Sequence, residues 1–279
     1  MTALKLMGIF AHPDDETLGA GGMYARYAAE GVETYLVCAT RGERGWNDAL
    51  GANPGLEALG KIREAELMAA ARVLGIREVN LLDYVDGDLD QANHAEAIAK
   101  ITAHIRRVRP QVLVTFSPDG AYGHPDHIAI SQFAAAALLC AADSGYADPG
   151  GLPPHRVAKV YYQVDSAGLV EFFQSLFDKI EFEVDGVVRR HIGWDDWMIT
   201  TKLDCTAHWR TVVKAALCHA TQIVEWKDKL EGLSEEEQKR LWGNLTFYRA
   251  LSLVNGGRKV ERDLFEGVRT ASGQIAPGL

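Results

Sequence analysis

Over its first 165 residues this chain alternates short apolar runs with amphipathic helical stretches, and that alternation limits its fold more than any other feature. Leu4–Ala11, Val32–Ala39, Glu78–Leu82, Gln111–Phe116 and Val157–Val164 are rich in apolar and β-branched residues and read as strands. Between them, Thr17–Glu30, Glu57–Leu74, His94–Val108 and Asp126–Ala142 carry apolar residues at helical spacing. Gly31 and Gly75 follow two of these helices as C-terminal glycines, and Pro110 stops a third. Strands separated by helices form right-handed βαβ units. The expected fold class is therefore α/β: a Rossmann-like, doubly wound, mainly parallel sheet.

Past residue 165 the pattern changes. Phe182–Val184 and Val187–Arg189 flank Asp185-Gly186, a hairpin signal. Thr206–Lys229 carries a helical apolar stripe, and Ser234–Glu237 is a capping box that opens a helix running toward Phe247. The expectation is one structural domain: a Rossmann-like core, residues 1–165, with a C-terminal α+β elaboration, residues 166–279, packed on it. In a chain of 279 residues roughly three quarters of the unfolded surface can be buried, so such a core needs no staple.

Charge excludes one class of partner. With 29 Lys+Arg against 38 Asp+Glu the net charge is −9, and no basic stripe exists to neutralise phosphates, so nucleic acid is not expected. The longest apolar run, Phe133–Ala142, has 10 residues, too few for a bilayer span. Met1 leads directly into the first strand without a basic leader or cleavage site. Cys38, Cys140, Cys205 and Cys218 show no CxxC spacing and read as reduced, mostly buried thiols. A cytoplasmic protein without a membrane partner is expected, and a homo-oligomer is left open.

Two polar clusters interrupt the apolar pattern, each directly after a strand: Ala11-His12-Pro13-Asp14-Asp15-Glu16 and Tyr122-Gly123-His124-Pro125-Asp126-His127. In a sheet of order 3-2-1-4-5, strands one and four are neighbours at the point where the connections reverse. Ligands bind there, outside the carboxyl ends of the strands. The topology thus joins clusters more than 100 residues apart. His12, Asp15 and His127 would give three ligands to a metal and leave positions open, the mark of a catalytic site. Such an ion acidifies water and polarises a carbonyl. Asp14 beside Asp15 is then a general base, His124 stabilises an oxyanion or protonates a leaving amine, and Asp126 fixes a histidine tautomer. Taken singly, Asp14, Asp15 and Asp126 read first as helix N-caps. The joint pattern of three histidines and four acids at carboxyl strand ends is what points to a metal.

These motifs resemble the LmbE-like, or PIG-L, family of zinc-dependent N-acetylglucosaminyl deacetylases, which includes the mycothiol- and bacillithiol-pathway enzymes. Further similarity lies in Thr40-Arg41-Gly42-Glu43 after strand two, Arg63-Glu64-Ala65-Glu66 on a helix and Asp86-Gly87 after strand three. Thr200–Gln222, ending His219-Ala220-Thr221-Gln222, is similar to a late HxxQ helix of many members. The resemblance implies Zn2+ on His12, Asp15 and His127, with Fe2+ or Co2+ able to use the same donors. It implies Asp14 as base, Asp126 as its partner acid, His124 assisting the tetrahedral intermediate, and Tyr122 polarising the carbonyl. Arg63, Glu43, Asp86 and His219 are the implied substrate contacts, although His219 also lies at the edge of an apolar stripe.

The expected activity is removal of an acetyl group from an N-acetylated amino sugar. A thiol-sugar conjugate amidase carries the same motifs. Two histidines and a carboxylate also describe non-haem iron enzymes, but oxygen chemistry has no use for a base beside the ligand. A non-catalytic binding module with an incidental metal is the third class. Gly19-Ala20-Gly21-Gly22 comes too late after its strand to cradle a dinucleotide phosphate, so close helix packing is the better account. His94, His104, His155, His191 and His208 suggest no role.

Overall fold

The computed structural model describes residues 3–177, 181–184, 186–257 and 259–269. Strands β1 (Lys5–Phe10), β2 (Glu33–Thr40), β3 (Glu78–Tyr84), β4 (Val112–Phe116) and β5 (Lys159–Val164) pair in parallel, in the order β3-β2-β1-β4-β5. Helices on both faces bury the central strands, which is why β1, β2 and β4 are almost continuously apolar. The reversal of strand order falls between β1 and β4, as the alternation of strands and helices predicts.

The crossover helices begin and end on their own signals. Helix α3 (Leu56–Leu74) stops at Gly75, whose φ of 75° is the left-handed conformation glycine adopts without strain. Helix α4 (His94–Val108) starts under an Asn93 side chain that accepts the Glu96 N–H. Thr17–Glu30 divides into α1 (Asp15–Leu18) and α2 (Gly21–Ala29). The break admits close neighbours. A Cβ on Gly19 would lie 2.6 Å from the Gln163 amide, and one on Gly22 would lie 2.8 Å from Cys205 Cβ. After a short turn, α5 (Gly120–Gly123), helix α6 (Pro125–Ala142) packs on α4 and the sheet. Helix α6 is long and apolar enough to cross a membrane by length and composition, and half of it is buried in the protein.

The C-terminal part differs from the sequence expectation in three ways. Helix α7 (Ala167–Phe177) precedes a two-stranded hairpin of β6 (Glu181–Val184) and β7 (Val187–Arg190), its Asp185 lying outside the described residues. Strand β8 (Thr201–Asp204) was not read from the sequence. The long helix Thr206–Lys229 is instead α8 (Trp209–Ala216) and α9 (Lys227–Gly232), joined by turns. Between them Thr221 donates its N–H and hydroxyl to Glu66 at 2.9 and 2.7 Å, and Gln222 donates to the Gly45 carbonyl at 2.9 Å. These distant partners replace helical hydrogen bonds that the apolar stripe alone would favour. The capping box Ser234–Glu237 does open α10 (Glu235–Trp242), but the segment containing Phe247 is strand β9 (Asn244–Ser252). Strand β9 lies antiparallel between β5 and β8 and completes a seven-stranded sheet.

Candidate metal centre and substrate cleft

The polar turns after β1 and β4 meet at the carboxyl edge of the sheet. In the first, Asp15 Oδ2 accepts the Ala11 and His12 N–H groups at 3.1 and 2.7 Å, which folds His12 and Asp15 toward one point. Asp14 is held at φ 118°, a left-handed region costing a non-glycine residue about 1–3 kcal/mol, and its N–H donates to Glu16 Oε2 at 2.9 Å. In the second turn Pro125 occupies the first position of α6, and His124 Nδ1 caps the helix by accepting the Asp126 N–H at 3.1 Å.

Donor atoms of three residues converge, Asp15 offering both its oxygens. His12 Nδ1 lies 3.1 Å from His127 Nε2, and Asp15 approaches these two nitrogens at 3.7 and 3.5 Å. Ligands on a four-coordinate zinc with bonds of ~2.0–2.1 Å stand roughly 3.3 Å apart, so the spacing fits. His12, His124 and His127 also form a candidate metal-binding group with donor atoms within 4.8 Å of one another, as do His12, Asp86 and Asp126. The opposite edge of each ligand ring is occupied. His12 Nε2 faces Asp86 Oδ1 at 3.1 Å and Asp126 Oδ2 at 3.2 Å, while His127 Nδ1 donates to the Gly120 carbonyl at 3.2 Å. The Gly120 carbonyl places the His127 proton on Nδ1 and leaves its Nε2 lone pair facing the convergence point, whereas burial pulls His12 down but Asp126 and Asp86 lift it well above its ordinary value.

Charge within this site is unbalanced. Burial pushes the Asp15 carboxyl up to about 7, against the pull of His12 and with repulsion from Asp14 and Glu16. Burial lifts Asp14 too, although Arg63, His219 and His12 oppose it. Burial and the neighbouring His12 and His124 drive His127 well below its ordinary value, so its ring stays neutral. A crowd of buried carboxylates beside a neutral imidazole is the donor chemistry that a cation satisfies.

Asp14 Oδ2 accepts from Arg63 Nη2 at 3.2 Å, and Arg63 also donates to the Pro13 and Gly42 carbonyls. Burial and the carboxylates of Asp15, Asp14 and Asp86 raise the Tyr122 phenol far above its ordinary value, keeping it a donor. The His124 and His127 rings stand 4.9 Å apart by centroid and 4.8–5.8 Å from those of His12 and Tyr122. Phe116 stacks on His127 at 3.9 Å.

A cleft of about 480 Å³ opens from these groups. His12, Asp14, Asp15, Arg63, Asp86, Tyr122, His124 and His127 line it. Asp126 is fully buried behind, and accepts the Gly87 and Leu89 N–H groups at 2.8 and 3.1 Å. Glu43 and His219, expected as substrate contacts, do not line the cleft. Glu43 accepts the Asp86 N–H, and His219 is fully buried with its Nε2 2.8 Å from Glu16 Oε1. Asp86 reaches the cleft but also braces His12. Gln163, Asp165, His191 and Trp226 line it without having been singled out for it. Position at the end of β5 was the available signal for Gln163 and Asp165; nothing local marks His191.

A family model described as GlcNAc-PI de-N-acetylase, PIG-L, matches residues 7–138. The 1D-myo-inositol 2-acetamido-2-deoxy-alpha-D-glucopyranoside deacetylase of Streptomyces avermitilis is 37% identical over an alignment covering 95% of this chain and 97% of that one. Among solved structures, the N,N'-diacetylchitobiose deacetylase of Pyrococcus horikoshii has a TM-score of 0.65 at 21% identity, covering 88% of this chain and 84% of that one. GalB, the 4-carboxy-2-hydroxymuconate hydratase of Pseudomonas putida KT2440, has a TM-score of 0.67 at 22% identity, covering 91% of this chain and 99% of that one. These two likenesses concern the fold, which carries both a deacetylase and a hydratase, so reaction must be argued from the site. With one relative matched along nearly its whole length at 37% identity, and with the two turns meeting as described, the chain belongs to the PIG-L family of de-N-acetylases.

Proposed function

We propose that this enzyme hydrolyses the acetamide of an N-acetylglucosamine residue linked to inositol, the compound named for its Streptomyces relative. The single observation that carries the reading is the convergence of His12, Asp15 and His127 with Asp14 beside them on the cleft. His12 Nδ1, His127 Nε2 and an Asp15 oxygen would hold Zn2+, and Fe2+ or Co2+ take the same donors. When bound, such an ion lowers the pKa of water and polarises a carbonyl.

The remaining work falls to side chains. Asp14 takes a proton from the attacking water, and Arg63 orients the carboxylate through its hydrogen bond to Oδ2. Water adds to the acetyl carbon and the carbonyl oxygen becomes an oxyanion. Tyr122, kept protonated, donates to that oxygen. Because His124 Nδ1 accepts from the backbone, its ring proton sits on Nε2, the tautomer that can donate to the oxyanion or to the leaving nitrogen. The C–N bond then breaks, the nitrogen leaves as an amine and acetate is released. A second reading, an amidase removing a bulkier acyl group from a thiol-sugar conjugate, draws on the apolar lining of Leu169, Val170, Phe173 and Trp226.

Acetate release from N-acetylglucosaminyl-inositol, with and without chelator and added zinc, tests the proposal. The expected result is release that stops on chelation, returns with metal, and falls about 10²–10⁴-fold in Asp14→Asn at unchanged metal content. Metal-replete wild type that releases no acetate would overturn it.

A further inference from the structure

The proposed reaction leaves several polar side chains on the cleft without a part, three of them at the end of β5 and its neighbourhood. Gln163, Asp165 and His191 all line the cleft alongside the turns that carry the candidate metal donors. Gln163 pairs in register with Phe116 of the neighbouring strand, one strand spacing, ~4.8 Å, from the residue that stacks on His127. Its side chain is held against Gly19, where a Cβ would collide with the amide, so the sequence keeps that space for it. Gly19 lies four residues along from Asp15, about 6 Å at helical rise. Gln163 is 7% exposed, and its carbonyl oxygen is buried with no hydrogen-bond partner among the described residues. A buried unpaired amide oxygen is unfavourable unless something else satisfies it.

Asp165 follows two residues later, past the end of β5. Its Oδ2 lies 3.1 Å from His191 Nε2. The backbone fixes this pair from both sides: Trp194 donates to the Asp165 carbonyl at 2.8 Å, and Ala167 donates to the Trp194 carbonyl at 2.9 Å. Burial pulls His191 down, but the hydrogen bond and charge of Asp165 lift it above its ordinary value, so the ring remains a good donor. A carboxylate acceptor, an imidazole donor and an amide able to do both match hydroxyl groups, which donate and accept at once. Asp165 repels a phosphate, which excludes an anionic ring.

From this we propose that Gln163, Asp165 and His191 form a specificity subsite for the neutral polyhydroxylated ring attached to the reacting N-acetylglucosamine. The subsite rests on the deacetylase reading given above and adds the residues that select the aglycone. It stands roughly one ring away from the metal donors, where the second ring of a glycoside falls.

The test compares N-acetylglucosaminyl-inositol with N-acetylglucosamine in wild type, His191→Ala, Asp165→Asn and Gln163→Leu. The ratio of kcat/KM for the glycoside to that for the single sugar should fall about 10–100-fold in each variant, mostly through KM. Residual turnover of the single sugar shows that each variant is folded. Equal losses on both substrates, or none, would overturn the subsite. Calorimetric titration with the intact glycoside separates it from the reaction. Wild-type binding that weakens by the same factor in the variants supports the subsite even where no acetate is released. Absence of wild-type binding overturns it.

Discussion

The two walls of the cleft are built on opposite principles. One wall comes from two turns of six residues each, His12 to Glu16 with its neighbours and Tyr122 to His127, brought together by adjacent parallel strands. The other gathers Gln163, Asp165, His191, Gln222 and Trp226 from segments spread over more than 60 residues, fixed by side chains that reach across the fold. In the first wall local sequence specifies geometry. In the second, geometry depends on contacts that form only when the rest of the chain is in place. The difference separates the proposed reaction chemistry, carried on two turns at strand ends, from the proposed substrate selection, carried on β5 and the connections beyond it.

Breaking the first wall should have the largest effect. His127→Ala should leave purified protein with little bound zinc, read by elemental analysis, and lower turnover by several orders of magnitude; full metal stoichiometry would mean another ligand set. Next comes the buried pair that fastens the C-terminal segment to the sheet. Lys159 Nζ lies 2.6 Å from Glu261 Oε1, and Tyr161 also donates to Glu261 at 2.6 Å. Lys159→Met leaves Glu261 to Arg249, 2.9 Å away, and to Tyr161 and Asn255, so it should cost about 1–3 kcal/mol in urea unfolding. Third, Asp86→Asn should weaken zinc retention by about 10–100-fold without abolishing it, in competition with a chromogenic chelator.

A smaller effect sharpens the comparison. Glu66→Ala removes the anchor of the 217–226 turns and should raise KM about tenfold while leaving zinc content intact, since the metal turns do not touch it. A pH series distinguishes the fastening pair further. Burial would raise Glu261, but Lys159, Tyr161 and Asn255 hold it down to about 2. With a folded pKa below the unfolded one, its contribution is complete above about 4.5 and is lost as pH falls toward 2. Glu261→Gln should therefore flatten the acid limb of Tm against pH; an unchanged limb would place that sensitivity elsewhere.

The legible part of the sequence was the part with local causes. Helix α4 was bounded correctly because Asn93 caps it and Pro110 follows it. The doubly wound order followed from alternation, and with it the meeting of His12 and His127. The break after α8 was not legible. Its stripe Trp209, Val212, Val213 and Ala216 continues through Ala220 and Ile223, and partners on other elements, Glu66, Gly45 and Glu16, explain why the backbone turns away. Strand β9 has no local signal of its own: the capping box of α10 is strong, and Gly243 ends that helix sooner than a run to Phe247. His219 looked like a substrate contact from its motif, but Glu16 claims it inside the protein.

The place of β9 also sets an order of events during synthesis. Strand β8 has no strand partner except β9 among the described residues, yet it precedes β9 by some 40 residues. A growing chain can therefore assemble the five parallel strands and both metal turns while β8 still waits with its hydrogen-bonding edge unmatched. The segment bearing Gln222 and Trp226 hangs between these two strands. Once residues 244–252 pair with β5 and β8, both ends of the segment bearing Gln222 and Trp226 are tied to the sheet, so that part of the second wall depends on strands formed late in the sequence.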